Sequence, residues 1–154
     1  MQARDLAKPY PTVRMEDDGL TAARLLTEHN RPGLIVVDEH DHPLAVLPGS
    51  QVLRLLIPSY VQDDPALARV LDEEFADNIH TVLSSHKVRE LMPSERDRSK
   101  LPVVAPDDTV LEIAAIMAAN RCPLVAVVEE SSATAPMIGA ISATSLLGRV
   151  LPQG

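Results

Sequence analysis

"NRPGLIVVDE" begins at Asn30, and ninety residues later, at Asn120, the chain reads "NRCPLVAVVE". A shift of 90 lays Val13 on Val103, Asp17-Asp18 on Asp107-Asp108, Asn30-Arg31 on Asn120-Arg121, Leu34 on Leu124 and Val37 on Val127. Eight of the 28 positions from Thr12 to Glu39 are identical at this shift. The register then slips by four, and "LAVLPGSQVLRLLIP" (Leu44 to Pro58) overlies "IGAISATSLLGRVLP" (Ile138 to Pro152). Two copies at so long a period are too few for a solenoid. They describe a half-domain that was duplicated.

Both copies have the same local pattern. A short extended piece, "PTVRM" or "LPVVA", precedes a helix opened by acidic residues, "DDGLTAARLLTEHN" or "DDTVLEIAAIMAAN". Leu20, Ala23 and Leu26, like Val110, Ile113 and Ile116, recur at helical spacing. Thr109 with Glu112 fits a capping box. Two short apolar runs follow, "LIVVD" with "LAVL" and "LVAVV" with "MIGAI", and the turn residues between them predict hairpins. A shorter helix closes each copy, over Gln51–Leu56 and Ser145–Val150. The predicted order is β-α-β-β-α, twice, in an α+β fold. Between the copies, Asp64-Pro65 is a helix start, and the apolar spacing from Leu67 to Val82 predicts a helix over Pro65–Leu83. A second short helix over His86–Met92 ends at Pro93, and "SERDRSK" is a solvated turn.

Composition removes several function classes. The 154 residues carry a formal charge of −8, with a pI near 5.0, which argues against a nucleic-acid or anionic-membrane surface. Tyr10, Tyr60 and Phe75 are the only aromatic residues, too few for base-stacking platforms. Cys122 is the single cysteine, so no disulfide forms within the chain and a reducing compartment is expected. The opening residues contain no signal-peptide apolar run. The charge-free stretch from Ser131 to Gly148 is broken by Pro136 and two glycines, so no direct membrane insertion is expected. The expected location is the cytoplasm. No carboxylate pair, nucleophile elbow or phosphate-cradling glycine loop occurs, and the chain is not expected to be an enzyme.

With these residues in view, the chain resembles a tandem pair of CBS (cystathionine-beta-synthase) domains, a Bateman module. The carriers are the doubled β-α-β-β-α order, the acidic helix starts, the "h-P-x-h-h-V-V" strands and "VRELMP" (Val88 to Pro93), which is similar to the lead-in that opens a copy. The resemblance implies a first repeat over 4–58, a helical linker over 59–85 and a second repeat over 86–152, packed as a pseudo-twofold pair with clefts between the copies. It further implies a freestanding regulatory module and a homodimer. No cofactor is required, but the clefts would take AMP, ADP, ATP or another adenosyl ligand. With no enzyme domain attached, an enzyme or transporter of unknown identity would be regulated in trans. The family's ligand signature, "G-h-x-[TS]-x-x-D", becomes "GAISATS" in the second copy: Gly139 and Ser142 match, and Ser145 stands where the aspartate belongs. In the first copy it becomes "AVLPGSQ", with Ala45, Pro48 and Gln51 at those places. The second copy is therefore the better ligand candidate, and a ligand-free dimerisation module with degenerate clefts is the alternative.

The candidate ligand-binding residues are Ser142, Thr144, Ser145, Arg121, Pro123 and Val103, with Gln51 and Arg31 in the first copy. Each has a structural reading beside the functional one. The hydroxyls suit a helix N-terminus. Arg31 and Arg121 suit either a phosphate or the negative end of the helix before them. His40 and His42, with Asp38 and Asp41, read as a solvated hairpin turn, because a metal site needs a third ligand and support behind it. Cys122 reads as a half-buried structural thiol. The helix "VLEIAAIMAAN" is apolar almost all round, so its outer face, with Ala115, Ala118 and Ala119, is expected to meet another subunit or partner unless the linker helix covers it.

Overall fold

The computed structural model describes residues 1–57, 64, 66, 78–94, 101–129 and 135–152. The elements of the first copy are α1 (Ala3–Leu6), β1 (Thr12–Arg14), α2 (Gly19–His29), β2 (Gly33–Val37), β3 (Pro43–Pro48) and α3 (Gly49–Leu56). Those of the second are α4 (Val88–Leu91), β4 (Val103–Val104), α5 (Val110–Asn120), β5 (Leu124–Val128), β6 (Met137–Ser142) and α6 (Ala143–Val150). The α+β class and the doubled β-α-β-β-α order are both present, with a one-turn helix ahead of each copy. Residues 78–85 are helical, and the Asp64 carboxylate accepts from the Ala66 amide at 3.2 Å. The rest of the helix expected over Pro65–Leu83, and most of the turn after Ser94, lie outside the described residues.

The strands form two three-stranded sheets, ordered β1-β2-β3 and β4-β5-β6. In the second, β4 runs parallel to β5, with Val103 opposite Ala126 and Val104 opposite Val127. β5 runs antiparallel to β6, pairing Leu124 with Ser142 and Ala126 with Ala140. The register shifts where Val128 comes opposite Met137, and Ile138, beside the shift, is exposed.

The caps correct the repeat register by one residue. Asp18 caps α2, accepting from the Thr21 amide at 2.7 Å, and Thr109 caps α5, accepting from the Glu112 amide at 3.3 Å. The Asp17 carboxylate accepts from the Arg14 amide and that of Asp108 from the Ala105 amide, both at 2.9 Å. Asn30 and Arg121 end the two helices with φ of 49° and 50°. All these pairs are 91 residues apart, not 90, up to β2 and β5. Sequence identity could not choose: both shifts give eight identities over Thr12–Glu39. At a shift of 91, Arg31 falls on Cys122 and Pro32 on Pro123. From β3 and β6 onward the offset is 94, as read from the sequence. The capping box at Thr109 is also only half formed, because the Thr109 hydroxyl meets the Glu112 carboxylate at 3.2 Å. The Thr21 amide hydrogen bond holds the Asp18 carboxyl below its usual range.

The chain divides into two compact units, one of residues 1–10, 37–45 and 99–154, the other of 11–36 and 46–98. The lead-in helices are traded between the copies. In the first unit α1 docks on the second copy: the Ala3 amide donates to the Asp108 carbonyl and the Arg4 amide to the Pro106 carbonyl, both at 2.9 Å. Ala3 and Leu6 then join a core with Val104, Ile113, Val127 and Ile141. In the second unit α4 docks on the first copy by the same bonds, Val88 amide to Asp17 carbonyl at 2.7 Å and Arg89 amide to Met15 carbonyl at 3.0 Å. There the Glu16 carboxylate pairs with Lys87 and Arg89, whose hydrogen bonds hold its pKa down. Val88 and Leu91 are buried, as are Val13, Ala22 and Leu47 of the same unit. Fully burying an aliphatic side chain such as Leu6 or Leu91 contributes about 1.5–3 kcal/mol, so each lead-in stabilises the copy it does not precede.

Candidate functional site

The second-copy candidates converge at the junction of β6 and α6. Ser142 is the last residue of β6 and the N-cap of α6, and its hydroxyl accepts from the Ser145 amide at 3.1 Å. The next amide, Ala143, donates to the Pro123 carbonyl at 2.8 Å. Pro123 thus fixes where α6 begins. Thr144 is exposed and Ser145 half-buried, in the first turn of a helix whose free N–H groups favour an anion. Side chains alternate across a sheet, and cross-strand neighbours share a face. Val103, paired with Ala126, therefore lies on the same sheet face as Leu124, Ala140 and Ser142. The opposite face carries Val104, Val125, Val127 and Ile141 into the core. Val103 is exposed on its edge strand.

The first copy lacks this arrangement. Pro48 occupies the N-cap position of α3 and supplies no side-chain cap, and Gln51 takes the place of Ser145. The Pro32 carbonyl still receives the Gly49 amide at 2.8 Å, as Pro123 receives Ala143. The backbone frame is repeated while the hydroxyls are not.

Arg31 and Arg121 are not counterparts. Arg121 itself adopts the left-handed C-cap conformation, and its amide donates to the Met117 and Ala118 carbonyls. Asn30 does this in the first copy. Arg31 stands one residue later, where the second copy has Cys122: their amides donate to the Leu26 and Met117 carbonyls at 3.2 and 3.1 Å. The left-handed region suits Asn and Gly and penalises a longer side chain. Arg121→Gly is accordingly expected to raise the unfolding free energy by about 1 kcal/mol, read by urea denaturation; a lower midpoint would show that the guanidinium matters more to the fold than the cap.

The remaining polar candidates are taken up by the fold. The Asp38 carboxylate accepts from the His40 and His42 amides at 2.8 and 2.9 Å. Burial pushes the Asp38 pKa up, but these two amides outweigh it and hold the carboxyl below its usual range. His42 Nδ1 donates to the Ala135 carbonyl at 2.7 Å. Among the described residues, no three His, Cys, Asp or Glu side chains gather around a metal position. Cys122 is half-buried, and its thiol donates to the Leu124 carbonyl at 3.2 Å. Ala115, Ala118 and Ala119 do lie on an exposed face of α5. The sequence reading missed Leu111, which heads that face at 79% exposure. It also missed Leu147, Val150 and Leu151 at the end of α6, all exposed.

The model of the CBS domain matches residues 3–57 and again 77–151. The chain belongs to the CBS domain family. The two matches are the two copies, so the molecule is a tandem CBS pair. A CBS domain-containing protein of unknown function from Kribbella flavida DSM 17836 is 51% identical, with a TM-score of 0.89 and 99% of each chain covered. CBSX2 in complex with AMP aligns at 18% identity and TM-score 0.62, covering 96% of this chain and 94% of that one. The CBS domain of a bacterial CNNM/CorC family Mg2+ transporter in complex with ATP aligns at 12% identity and TM-score 0.67, covering 97% and 87%. Searching the curated proteins gave no match. Among the described residues of this CBS pair, no helix is long and apolar enough to cross a membrane.

Proposed function

We propose that this CBS pair is a regulatory, non-catalytic module that binds an adenine-containing ligand at the start of α6 and controls a partner enzyme or transporter in trans. The observation that carries this reading is the β6–α6 junction, where Ser142, Thr144 and Ser145 meet Pro123 at a helix N-terminus, with Val103 on the same sheet face as Ser142. Support also comes from the AMP and ATP complexes among the similar folds. Ligand would act by shifting the population of arrangements that the partner reads. The module works as a homodimer, with Ala115, Ala118, Ala119 and Leu111 in the interface. Arg121 serves the phosphate end of the ligand; Gln51 and Arg31 belong to the weaker first-copy site.

A second reading, assembly without ligand, is favoured by one observation: the Ser142 hydroxyl is already engaged in capping and no aspartate follows it. Calorimetric titration of the ligand-stripped protein with AMP, ADP, ATP, NAD, S-adenosylmethionine and cyclic dinucleotides separates the two. The sensing reading expects saturable binding, lost in Ser142→Ala. It also expects tightening of about ten- to a hundredfold in Ser145→Asp, because a charged acceptor is worth about 1.5–3 kcal/mol over none. No heat at millimolar ligand from either wild type or Ser145→Asp would leave assembly as the function.

A further inference from the structure

The strand that carries Ser142 is held from outside by the start of the chain. Lys8 and Ala140 exchange both backbone hydrogen bonds, at 3.0 and 2.9 Å, so residue 8 adds one rung to the open side of β6. Gly139 makes this approach possible. A Cβ there would stand 3.0 Å from the Lys8 carbonyl oxygen and 3.1 Å from the Ala7 methyl. The remaining anchors are the Gln2–Thr109 bridge, the Ala3 and Arg4 amide bonds, and the buried Ala3 and Leu6 side chains, 0% and 2% exposed. Helix α1 has only four residues, far short of the length at which a helix persists by itself. The segment is therefore ordered by docking alone, and the bonds that dock it are made or lost together.

We propose that residues 2–8 form a latch on the α6-start site: docked, they brace β6 and keep Ser142 and the first turn of α6 in their binding geometry; undocked, they leave Ala140 at an open edge and weaken ligand binding two residues further along the same strand. The latch comes from the first copy's end of the sequence but controls the second copy's site. This inference rests on the ligand-binding reading above for its functional half and on the geometry alone for its structural half.

Hydrogen exchange on the full chain, read by mass spectrometry beside calorimetry with AMP, tests both halves. Gly139→Ala drives Lys8 off the edge and Leu6→Ala empties the buried anchor. Gly148→Ala, whose added methyl meets nothing within 4 Å, is the control. The expected result is exchange faster by about tenfold or more at residues 3–8 and 137–142 in both variants, with α2 and β2 at wild-type protection, since two or more hydrogen bonds are lost locally. The AMP dissociation constant rises by about tenfold in both and is unchanged in Gly148→Ala. Unchanged protection at 3–8 and 137–142, equal loss of protection across α2, or full AMP affinity with the segment undocked would each overturn the latch. If wild type binds none of the adenine-containing ligands titrated above, the sensing reading fails, and the exchange pattern alone upholds or overturns the structural half of the latch.

Discussion

Ile113→Ala is expected to cost the second copy about 2–5 kcal/mol of stability, while Leu111→Ala, two residues away on the same helix, stays within about 0.5 kcal/mol. The contrast follows from the faces of α5. Ile113 is fully buried among Val104, Val127 and Ile141, beside Ala3 and Leu6 from the other end of the sequence. Removing three of its carbons leaves a cavity that a sheet on one side and short helices on the other cannot close. Leu111 is 79% exposed, and its truncation removes little burial. The proposed homodimer places its effect in association: sedimentation should show weaker self-association in Leu111→Ala at unchanged unfolding midpoint in dilute solution, because subunit binding adds stability only by mass action. Equal destabilisation by the two substitutions would mean that α5 packs by a different face.

Gly19→Ala is expected to destabilise the protein by about 1–3 kcal/mol through overpacking, even though alanine is the better helix residue by about 1 kcal/mol. Gly19 opens α2, and its amide donates to the His86 carbonyl at 2.8 Å. A Cβ there would lie 2.9 Å from the Leu83 carbonyl oxygen and 3.4 Å from a Leu83 methyl. Both obstacles belong to the helical stretch 78–85, and the nearer one is backbone, which cannot rotate away. The second copy has Val110 at the corresponding position, so the repeat itself does not demand glycine there. Thermal unfolding decides the sign: a lower Tm is expected, and a higher Tm would mean that the 78–85 helix yields without loss.

The fold was legible because its signals are local. Period-3.6 runs gave α2 and α5, paired apolar runs with turn residues gave both hairpins, and the duplication gave the order. The register was one residue off because the repeated "NR" drew the alignment to 90, when the caps place Asn30 with Arg121 and so Arg31 with Cys122. The exchange of lead-ins was not legible from periodicity, since bonds from residues 2–8 to 106–109 and 140 leave no local trace. One signal was available: Ala3-Arg4-Asp5-Leu6 echoes Val88-Arg89-Glu90-Leu91, and only the second was read as a lead-in. At the site, the hydroxyl pattern was visible in the sequence, but its placement beside Pro123 depends on a hydrogen bond across 20 residues. Leu111 was overlooked because an apolar helix does not announce which of its faces is outward.

The central claim is that ligand binds at the start of α6 and not at the start of α3. Hydrogen-exchange footprinting of the wild-type protein with and without millimolar AMP tests it most directly. Slower exchange is expected at residues 142–146 and 124, with 49–52 unchanged. Protection at 49–52 alone, or none at either helix start, would contradict it.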